Sequence, residues 1–158
     1  MTKYYGSKNN TNYVIKNDGT LWEIGRDRKF NILAPTRVGE LSNWSVLGAG
    51  SKSSIAIKTD GTLWVSGNNA YGQLGLSNQT HISSPVQVGT LTNWSKVSGG
   101  YSNTAAIKTD GTLWTWGINS YGQLGLSDKA KTTYTDQVAA ITNLSKVSGG
   151  KNHTAAIN

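Results

Sequence analysis

The sequence predicts an all-β fold made of repeated four-stranded antiparallel sheets, arranged as the blades of a β-propeller. Three observations support this prediction. The pentapeptide Asp-Gly-Thr-Leu-Trp occurs at residues 18–22, 60–64 and 110–114, and residues 43–92 return with a 50-residue period as 93–142. No segment shows the sustained apolar periodicity of a helix. A four-stranded sheet of this size cannot bury its own faces, so such units stack around a common axis.

Each copy of the pentapeptide predicts a β-hairpin. Its Asp-Gly pair stands between two short runs of β-branched and aromatic residues, and glycine accepts the positive φ of a tight primed turn. The predicted turn residues are Asp18, Gly19, Asp60, Gly61, Asp110 and Gly111. Because these carboxylates recur with the turn, we expect them to be structural and not catalytic.

The tryptophan that ends each pentapeptide is predicted to pack between neighbouring blades. These residues are Trp22, Trp64 and Trp114. Burying one large apolar side chain contributes about 1.5–3 kcal/mol, so a repeated set of such residues should dominate the stability. Stacking of an aromatic ligand on these rings is the less favoured alternative.

The unit 93–142 is predicted to contain four short strands. The first three lie near 95–98, 104–108 and 112–116, where β-branched and aromatic residues alternate with turn signals. A glycine-rich loop follows at 121–126, and a weaker fourth strand is predicted near 137–141. Strands of this length, separated by turns, are typical of all-β architectures.

The chain is predicted to form a single repeat domain, 1–158. Its units are 1–42, 43–92 and 93–142, with a partial unit at 143–158. About three and a half blades do not close a ring. Either the chain is an open arc, or copies assemble into a closed ring, or it pairs with blades of another chain. Because an open arc would expose an apolar blade face at each end, we expect an oligomer.

The chain is basic, with 15 Lys and Arg residues against 8 Asp and Glu residues, for a net charge of +7. Repetition explains part of this surplus, because Lys16, Lys58 and Lys108 occupy one repeat position. A nucleic-acid surface is the alternative interpretation. A possible basic patch lies in the first unit, and we expect it to be a solvated edge more than a phosphate site; its residues are Arg26, Arg28, Lys29 and Arg37.

The sequence offers no pattern that predicts catalysis, a metal site or a cofactor. There is no cysteine, and the two histidines, His81 and His153, have no neighbouring carboxylates that would complete a metal-ligand set. No Ser-His-Asp arrangement suggests a triad, and the glycine-rich loop lacks the lysine of a phosphate loop. We therefore expect a protein that is not an enzyme. Neither a signal peptide nor a membrane span is predicted.

The most specific motif is Trp-x-x-Gly-x-Asn-x-Tyr-Gly-Gln-Leu-Gly, at 64–75 and again at 114–125. With the preceding Asp-Gly-Thr-Leu-Trp it closely resembles the regulator of chromosome condensation repeat. The motif positions are Gly72, Gln73, Gly75, Gly122, Gln123 and Gly125. The resemblance implies a β-propeller, with seven blades in full-length members of the family. The first unit departs from the pattern, because residues 25–30 replace the Tyr-Gly-Gln-Leu-Gly loop.

These features predict a non-enzymatic structural or interaction module. The style of the repeats is similar to that of phage virion and bacterial surface proteins, which suggests a tail, fibre or capsid-associated component located on the virion or the bacterial surface. Its expected partners are further copies of itself, other virion or surface proteins, and a glycan or host-surface ligand; nucleic acid is not expected. The alternative implied by the resemblance is guanine-nucleotide exchange on a small GTPase or chromatin and DNA binding, as in the family's eukaryotic founder.

Overall fold

The computed structural model describes residues 3–8, 11–25, 34–127, 130–138 and 141–158. Within these ranges every helix or strand assigned is a β-strand. The strands are β1 Lys3–Lys8, β2 Thr11–Ile15, β3 Leu21–Ile24, β4 Thr36–Arg37, β5 Trp44–Ala49, β6 Ser53–Lys58, β7 Leu63–Gly67, β8 Ile82–Gln87, β9 Trp94–Gly99, β10 Asn103–Lys108, β11 Leu113–Ile118, β12 Lys131–Gln137, β13 Lys146–Gly149 and β14 Thr154–Ile157.

The strands form consecutive antiparallel sheets in which each strand pairs with the next one along the chain. Strands β1–β4, β5–β8 and β9–β12 make three four-stranded sheets, and β13 and β14 make a two-stranded one. The first strands of successive sheets, β1, β5, β9 and β13, lie side by side. The sheets therefore radiate as blades from a shared inner edge. This partial propeller confirms the predicted fold class.

The fourth strand of each blade lies earlier in the sequence than expected. Strand β12 covers Lys131–Gln137, so the strand predicted at 137–141 was wrong. The sequence of β12, Lys-Thr-Thr-Tyr-Thr-Asp-Gln, is polar, and three of its seven residues are exposed, because the strand lies at the outer side of the sheet, where it pairs with β11 and makes one bridge, from Tyr134 to Leu76. A strand of this kind lacks the apolar alternation that makes inner strands recognisable.

The Asp-Gly turns differ from the primed turns expected from the sequence. Gly61 N donates to Lys58 O at 3.0 Å, and Lys58 N donates to Thr62 O at 3.0 Å. Positive φ occurs at Gly61 (78°), whereas Asp60 does not have it. The loop is thus a three-residue hairpin connection that ends in a left-handed glycine, a form that is also common in hairpins. Asp60 keeps an ordinary backbone conformation, and its side chain accepts hydrogen bonds from Thr62.

The hydrophobic core is divided into clusters that lie between neighbouring blades. Between the second and third blades, Ile55, Val65 and Leu74 pack against Trp94 and Trp116. Similar clusters join the first blade to the second and the third to the two-stranded sheet. The stability of the fold therefore depends on blade-to-blade packing, since no blade has a core of its own.

The deepest tryptophans are not the ones in the pentapeptide. Trp44, Trp94 and Trp116 are buried, and Trp116 is completely shielded from solvent. Trp64 and Trp114 are half-buried, and each packs on the edge of an inter-blade cluster. Packing between blades therefore depends on Trp44, Trp94 and Trp116, which lie outside the pentapeptide, as well as on Trp64 and Trp114.

Candidate interaction surface

The Asp, Thr and Trp of each pentapeptide are joined by a chain of hydrogen bonds. Asp60 Oδ1 accepts from Thr62 N at 3.0 Å and from Thr62 Oγ1 at 2.6 Å. Thr62 Oγ1 in turn accepts from Trp64 Nε1 at 2.9 Å. The copies at 18–22 and 110–114 make the same bonds. The pentapeptide is therefore a local structural unit. The threonine N–H and hydroxyl, the indole N–H and one carboxylate oxygen all form hydrogen bonds within it.

The hydrogen bonds also affect the ionisation of the aspartates. Donation from the Thr62 hydroxyl, followed by donation from its backbone N–H, holds the pKa of Asp60 below the ordinary value. The pKa values of Asp18 and Asp110 are lowered by the equivalent threonines. These carboxylates are held in the charged form, which is the wrong form for a general acid at neutral pH.

The repeated lysine of each unit covers the indole ring of the motif tryptophan. Lys58 Nζ lies 3.4 Å from the ring centroid of Trp64 and 5.2 Å from that of Trp44. Lys108 makes the same pair of contacts in the third blade, and burial lowers the pKa of its amine. A contact of this kind attracts the ammonium group to the face of the ring. These lysines contribute three of the 15 basic residues of the chain.

The glycine of each turn connects one blade to the next. Gly61 O accepts from Trp94 N at 3.1 Å, and Gly19 O and Gly111 O make equivalent bonds to the second blade and to the two-stranded sheet. A side chain at Gly61 would overlap the carbonyl oxygen of Thr92. Glycine is therefore required at this position for two reasons. It accepts the positive φ, and it leaves room for the segment that links the blades.

Asparagine and glutamine hold the shape of the Tyr-Gly-Gln-Leu-Gly loop. Asn69 Oδ1 accepts from Leu74 N at 2.9 Å, and Gln73 Oε1 accepts from Tyr71 N at 3.0 Å. Asn119 and Gln123 make the same bonds in the next copy. His81, which the sequence left without a role, accepts a bond from Asn69 N at 2.9 Å through Nδ1. The loop is a rigid element whose polar side chains face inward.

The same loop reaches across to the following blade. Gln73 O accepts from Thr104 Oγ1 at 2.8 Å and from Trp116 Nε1 at 2.9 Å, and Gln123 O accepts from Thr154 Oγ1 at 2.8 Å. The motif glycines Gly72, Gly75, Gly122 and Gly125 all have positive φ. The motif residues of the loop therefore have structural roles, with the exception of the tyrosines.

Several apolar side chains are exposed at equivalent positions of successive blades. Leu41, Leu91 and Ile141 lie 50 residues apart, in the segments that link the blades, and are 40% to 45% exposed. The loop tyrosines Tyr71 and Tyr121 are also exposed, Tyr121 by 74%. The 50-residue spacing of Leu41, Leu91 and Ile141 is visible in the sequence, but only their solvent exposure distinguishes them from core residues. These residues are the best candidates for an interaction surface, because the packing does not account for them.

The basic patch is only partly described by the structure. Arg26, Arg28 and Lys29 lie outside the described residues. Arg37 is in β4, where its Nη2 donates to Glu40 O at 2.7 Å and its Nη1 lies 3.8 Å from Glu40 Oε2. The one described member of the patch is thus already engaged with a carboxylate, which leaves the phosphate-site alternative as a prediction.

The described residues contain no group of three His, Cys, Asp or Glu side chains that could hold a metal ion. They also contain no helix of the length and apolarity needed to cross a membrane.

Successive four-stranded antiparallel sheets that share an inner edge define a β-propeller repeat protein. The chain belongs to the regulator of chromosome condensation repeat family. The profile described as "Regulator of chromosome condensation (RCC1) repeat" matches residues 60–107 and 110–157, and a second profile of the same description matches 94–123. The resemblance seen in the sequence is confirmed. The first match begins at Asp60 and ends in β10, so one sequence repeat supplies strands to two blades.

Solved structures share this fold. Prp20p from Saccharomyces cerevisiae, described with its binding to Gsp1p and histones, is 16% identical with a TM-score of 0.80; the match covers 95% of this chain and 42% of that one. Yeast RCC1 (Prp20) bound to Kap60 is 22% identical, with a TM-score of 0.78 over 94% and 38% of the two chains. Human WBSCR16 is 18% identical, with a TM-score of 0.82 over 99% and 45%. The chain spans less than half the length of these proteins. No curated protein matches its sequence significantly.

Proposed function

We propose that this chain is a non-enzymatic interaction module, used as a structural component of a phage virion or a bacterial surface. The virion role would be assembly of a tail, fibre or capsid-associated part, or attachment to the host surface. The observation that carries the proposal is the set of exposed apolar residues Leu41, Leu91 and Ile141, one in each successive inter-blade segment. Internal repetition makes this surface regular, and a regular surface suits a partner that is itself periodic or multivalent.

Binding to bacterial surfaces tests the attachment role. Fluorescently labelled protein is incubated with a panel of bacterial cells and followed by flow cytometry, and we expect saturable binding to one or more strains. The triple variant Leu41→Ser, Leu91→Ser and Ile141→Ser should reduce this binding at least tenfold. The matched control changes the exposed neighbours, as Ser42→Ala, Thr92→Ala and Thr142→Ala, and should bind like the original protein. Equal binding by both triple variants would contradict the proposed surface.

A second copy of the chain is the partner that we propose for the β14 edge of the two-stranded sheet. Strand β14 pairs on one side only, with β13, and Ile157 on it is exposed. An unpaired strand edge beside apolar residues favours addition of another strand. Light scattering coupled to size exclusion should give a mass of at least two chains, and Ile157→Lys should lower it. A monomer at about 100 μM, which is roughly a hundred times a Kd of about 1 μM, would contradict self-association.

Nucleic-acid binding is the outcome that would favour the family founder's type of function. Tight DNA binding with a steep decrease between about 50 and 200 mM salt would show that several phosphates are neutralised. We expect weak binding that disappears at physiological salt, because three of the lysines are engaged with indole rings.

A further inference from the structure

The boundary between the first and second blades contains a cavity. Its volume is about 170 Å³, and it is lined by residues of both blades, among them Tyr13, Glu23, Ser54 and Ser66. Between the second and third blades the equivalent space is filled. Four described positions differ between the two boundaries, because strand pairing defines which residues of successive blades correspond.

On the first blade the cavity wall is the cross-strand pair Tyr13 and Glu23. The equivalent pair of the second blade is Ile55 and Val65, both of which are fully buried against the third blade. A phenol and a carboxylate therefore occupy the positions that hold two aliphatic side chains one blade later. Glu23 has no ion-pair partner among the described residues. Burial, and after it the charge of Glu23, raises the pKa of Tyr13.

On the second blade the cavity wall is the pair Ser54 and Ser66. The equivalent pair of the third blade is Thr104 and Trp116, which bind Gln73 O and fill the boundary with Leu74. Replacing an indole by a hydroxymethyl group removes most of that volume. Ser54 Oγ lies near the Tyr13 phenol and is shielded from solvent. The two groups do not have hydrogen-bond geometry, so Ser54 Oγ has no hydrogen-bond partner among the described residues.

The walls of this cavity combine one negative charge with hydroxyl groups and apolar surface. Leu21, Val38, Leu47 and Val65 provide the apolar part, and Trp44 and Trp64 close one side. Glu23 is the only described lining residue that carries a formal charge at neutral pH. A cavity of about 150 Å³ can hold a benzene ring. We propose that the cavity between the first two blades is a binding site for a small organic cation, an amine or ammonium group carried on a single apolar ring.

The chemistry of the walls matches each part of such a ligand. The Glu23 carboxylate accepts charge-assisted hydrogen bonds from the ammonium group, which are stronger than neutral ones. The hydroxyls of Ser54 and Ser66 accept further N–H bonds, and the aliphatic side chains cover the ring. The net charge of +7 on the chain repels cations at long range. Saturable binding of a cation therefore requires a local carboxylate such as Glu23 and does not follow from the overall charge.

Binding of benzylamine, with benzyl alcohol as its uncharged counterpart, tests the proposal. In ¹H–¹⁵N NMR titrations, benzylamine should shift the amide signals of Ser54 and Ser66 in a saturable way, and benzyl alcohol should bind at least tenfold more weakly. Glu23→Gln should lower the affinity for benzylamine at least tenfold and leave that for benzyl alcohol unchanged. The matched control Glu40→Gln removes an exposed carboxylate of the same blade and should change neither.

A second variant fills the cavity without touching its charge. Ser66→Trp introduces the indole found at the equivalent position of the third blade and should abolish binding of both probes. If this variant does not fold, Ser66→Leu serves the same purpose. Any one of four results would overturn the proposal. These are equal affinity for the two probes, unchanged benzylamine binding by Glu23→Gln, binding retained in the folded Ser66 variant, and no shift at the Ser54 and Ser66 amides.

Discussion

The indole Nε1 of Trp116 donates a 2.9 Å hydrogen bond to the main-chain carbonyl of Gln73, a residue of the preceding blade. The bond joins two residues 43 positions apart in sequence. Leu74, the residue after Gln73, packs in the same fully buried cluster as Trp116. One side chain therefore provides both apolar contact and a directional bond across a blade boundary.

Trp116→Ala should be the most destabilising of three aromatic substitutions. It removes a side chain that is fully buried and leaves the Gln73 carbonyl with one donor fewer, so we expect a loss of about 3–5 kcal/mol in the free energy of unfolding. Trp114→Ala should cost less because Trp114 is half-buried. Tyr121→Ala, at a residue 74% exposed, should change stability by less than about 0.5 kcal/mol. Urea denaturation followed by circular dichroism measures all three, and a larger effect for Trp114 than for Trp116 would contradict the order.

Thr62→Val tests the hydrogen-bond chain of the pentapeptide. The substitution keeps the shape of the side chain but removes the donor to Asp60 and the acceptor for Trp64 Nε1. We expect a loss of about 1–2 kcal/mol in the free energy of unfolding, since the indole N–H is left without its partner. Thr59→Val, in the same turn but exposed, is the matched control and should be nearly neutral. Equal effects of the two changes would mean that the chain of bonds contributes nothing.

Gly61→Ala separates two requirements for glycine. Both Gly61 and Gly89 have positive φ, at 78° and 57°, but a methyl group would meet Thr92 O at Gly61 and nothing within 4 Å at Gly89. Gly89→Ala should therefore cost about 1–2 kcal/mol from backbone conformation alone. Gly61→Ala should cost clearly more, because the inter-blade segment must also move. Thermal unfolding of the two variants, compared with the original protein, distinguishes these contributions, and equal costs would rule out the steric one.

Acid should destabilise the fold through the three turn aspartates. Hydrogen bonds from Thr62 and its equivalents hold the pKa of Asp18, Asp60 and Asp110 below the unfolded value. A lowered folded pKa means that the unfolded state binds more protons in acid, so this stability is present above about pH 4 and is lost as the pH falls through the folded values. Urea midpoints measured from pH 2.5 to 6, in steps of about half a unit, should decrease toward acid. Asp60→Asn should have a shallower decrease; an unchanged one would exclude Asp60 from the effect.

Local features of the fold were predictable from the sequence. The three pentapeptides identified the central hairpins, and the repeat period identified the succession of blades. The first three strands of the unit 93–142 lie close to their predicted places. The polar outer strand Lys131–Gln137 was not predictable in the same way, because its sequence lacks apolar alternation and its conformation depends on pairing with β11 and on the bridge to Leu76.

The candidate surface and the cavity could be predicted much less well. The repeated Leu41, Leu91 and Ile141 look like core residues in the sequence, and only their exposure identifies them as surface. Tyr13 and Ser54 have no sequence feature that connects them. They line one cavity because two blades bring their strands β2 and β6 face to face.

By itself, the sequence determined the all-β class, the repeat and the family, because turns, strand alternation and motif spacing are encoded over a few neighbouring residues. The tertiary structure decided which tryptophans are buried, which apolar side chains remain exposed and where one blade boundary is left unfilled. These properties depend on contacts between residues tens of positions apart. Ser66 and Trp116 occupy the same place in their blades, but the small Ser66 side chain lines a cavity, whereas the Trp116 indole fills its blade boundary at the centre of a core.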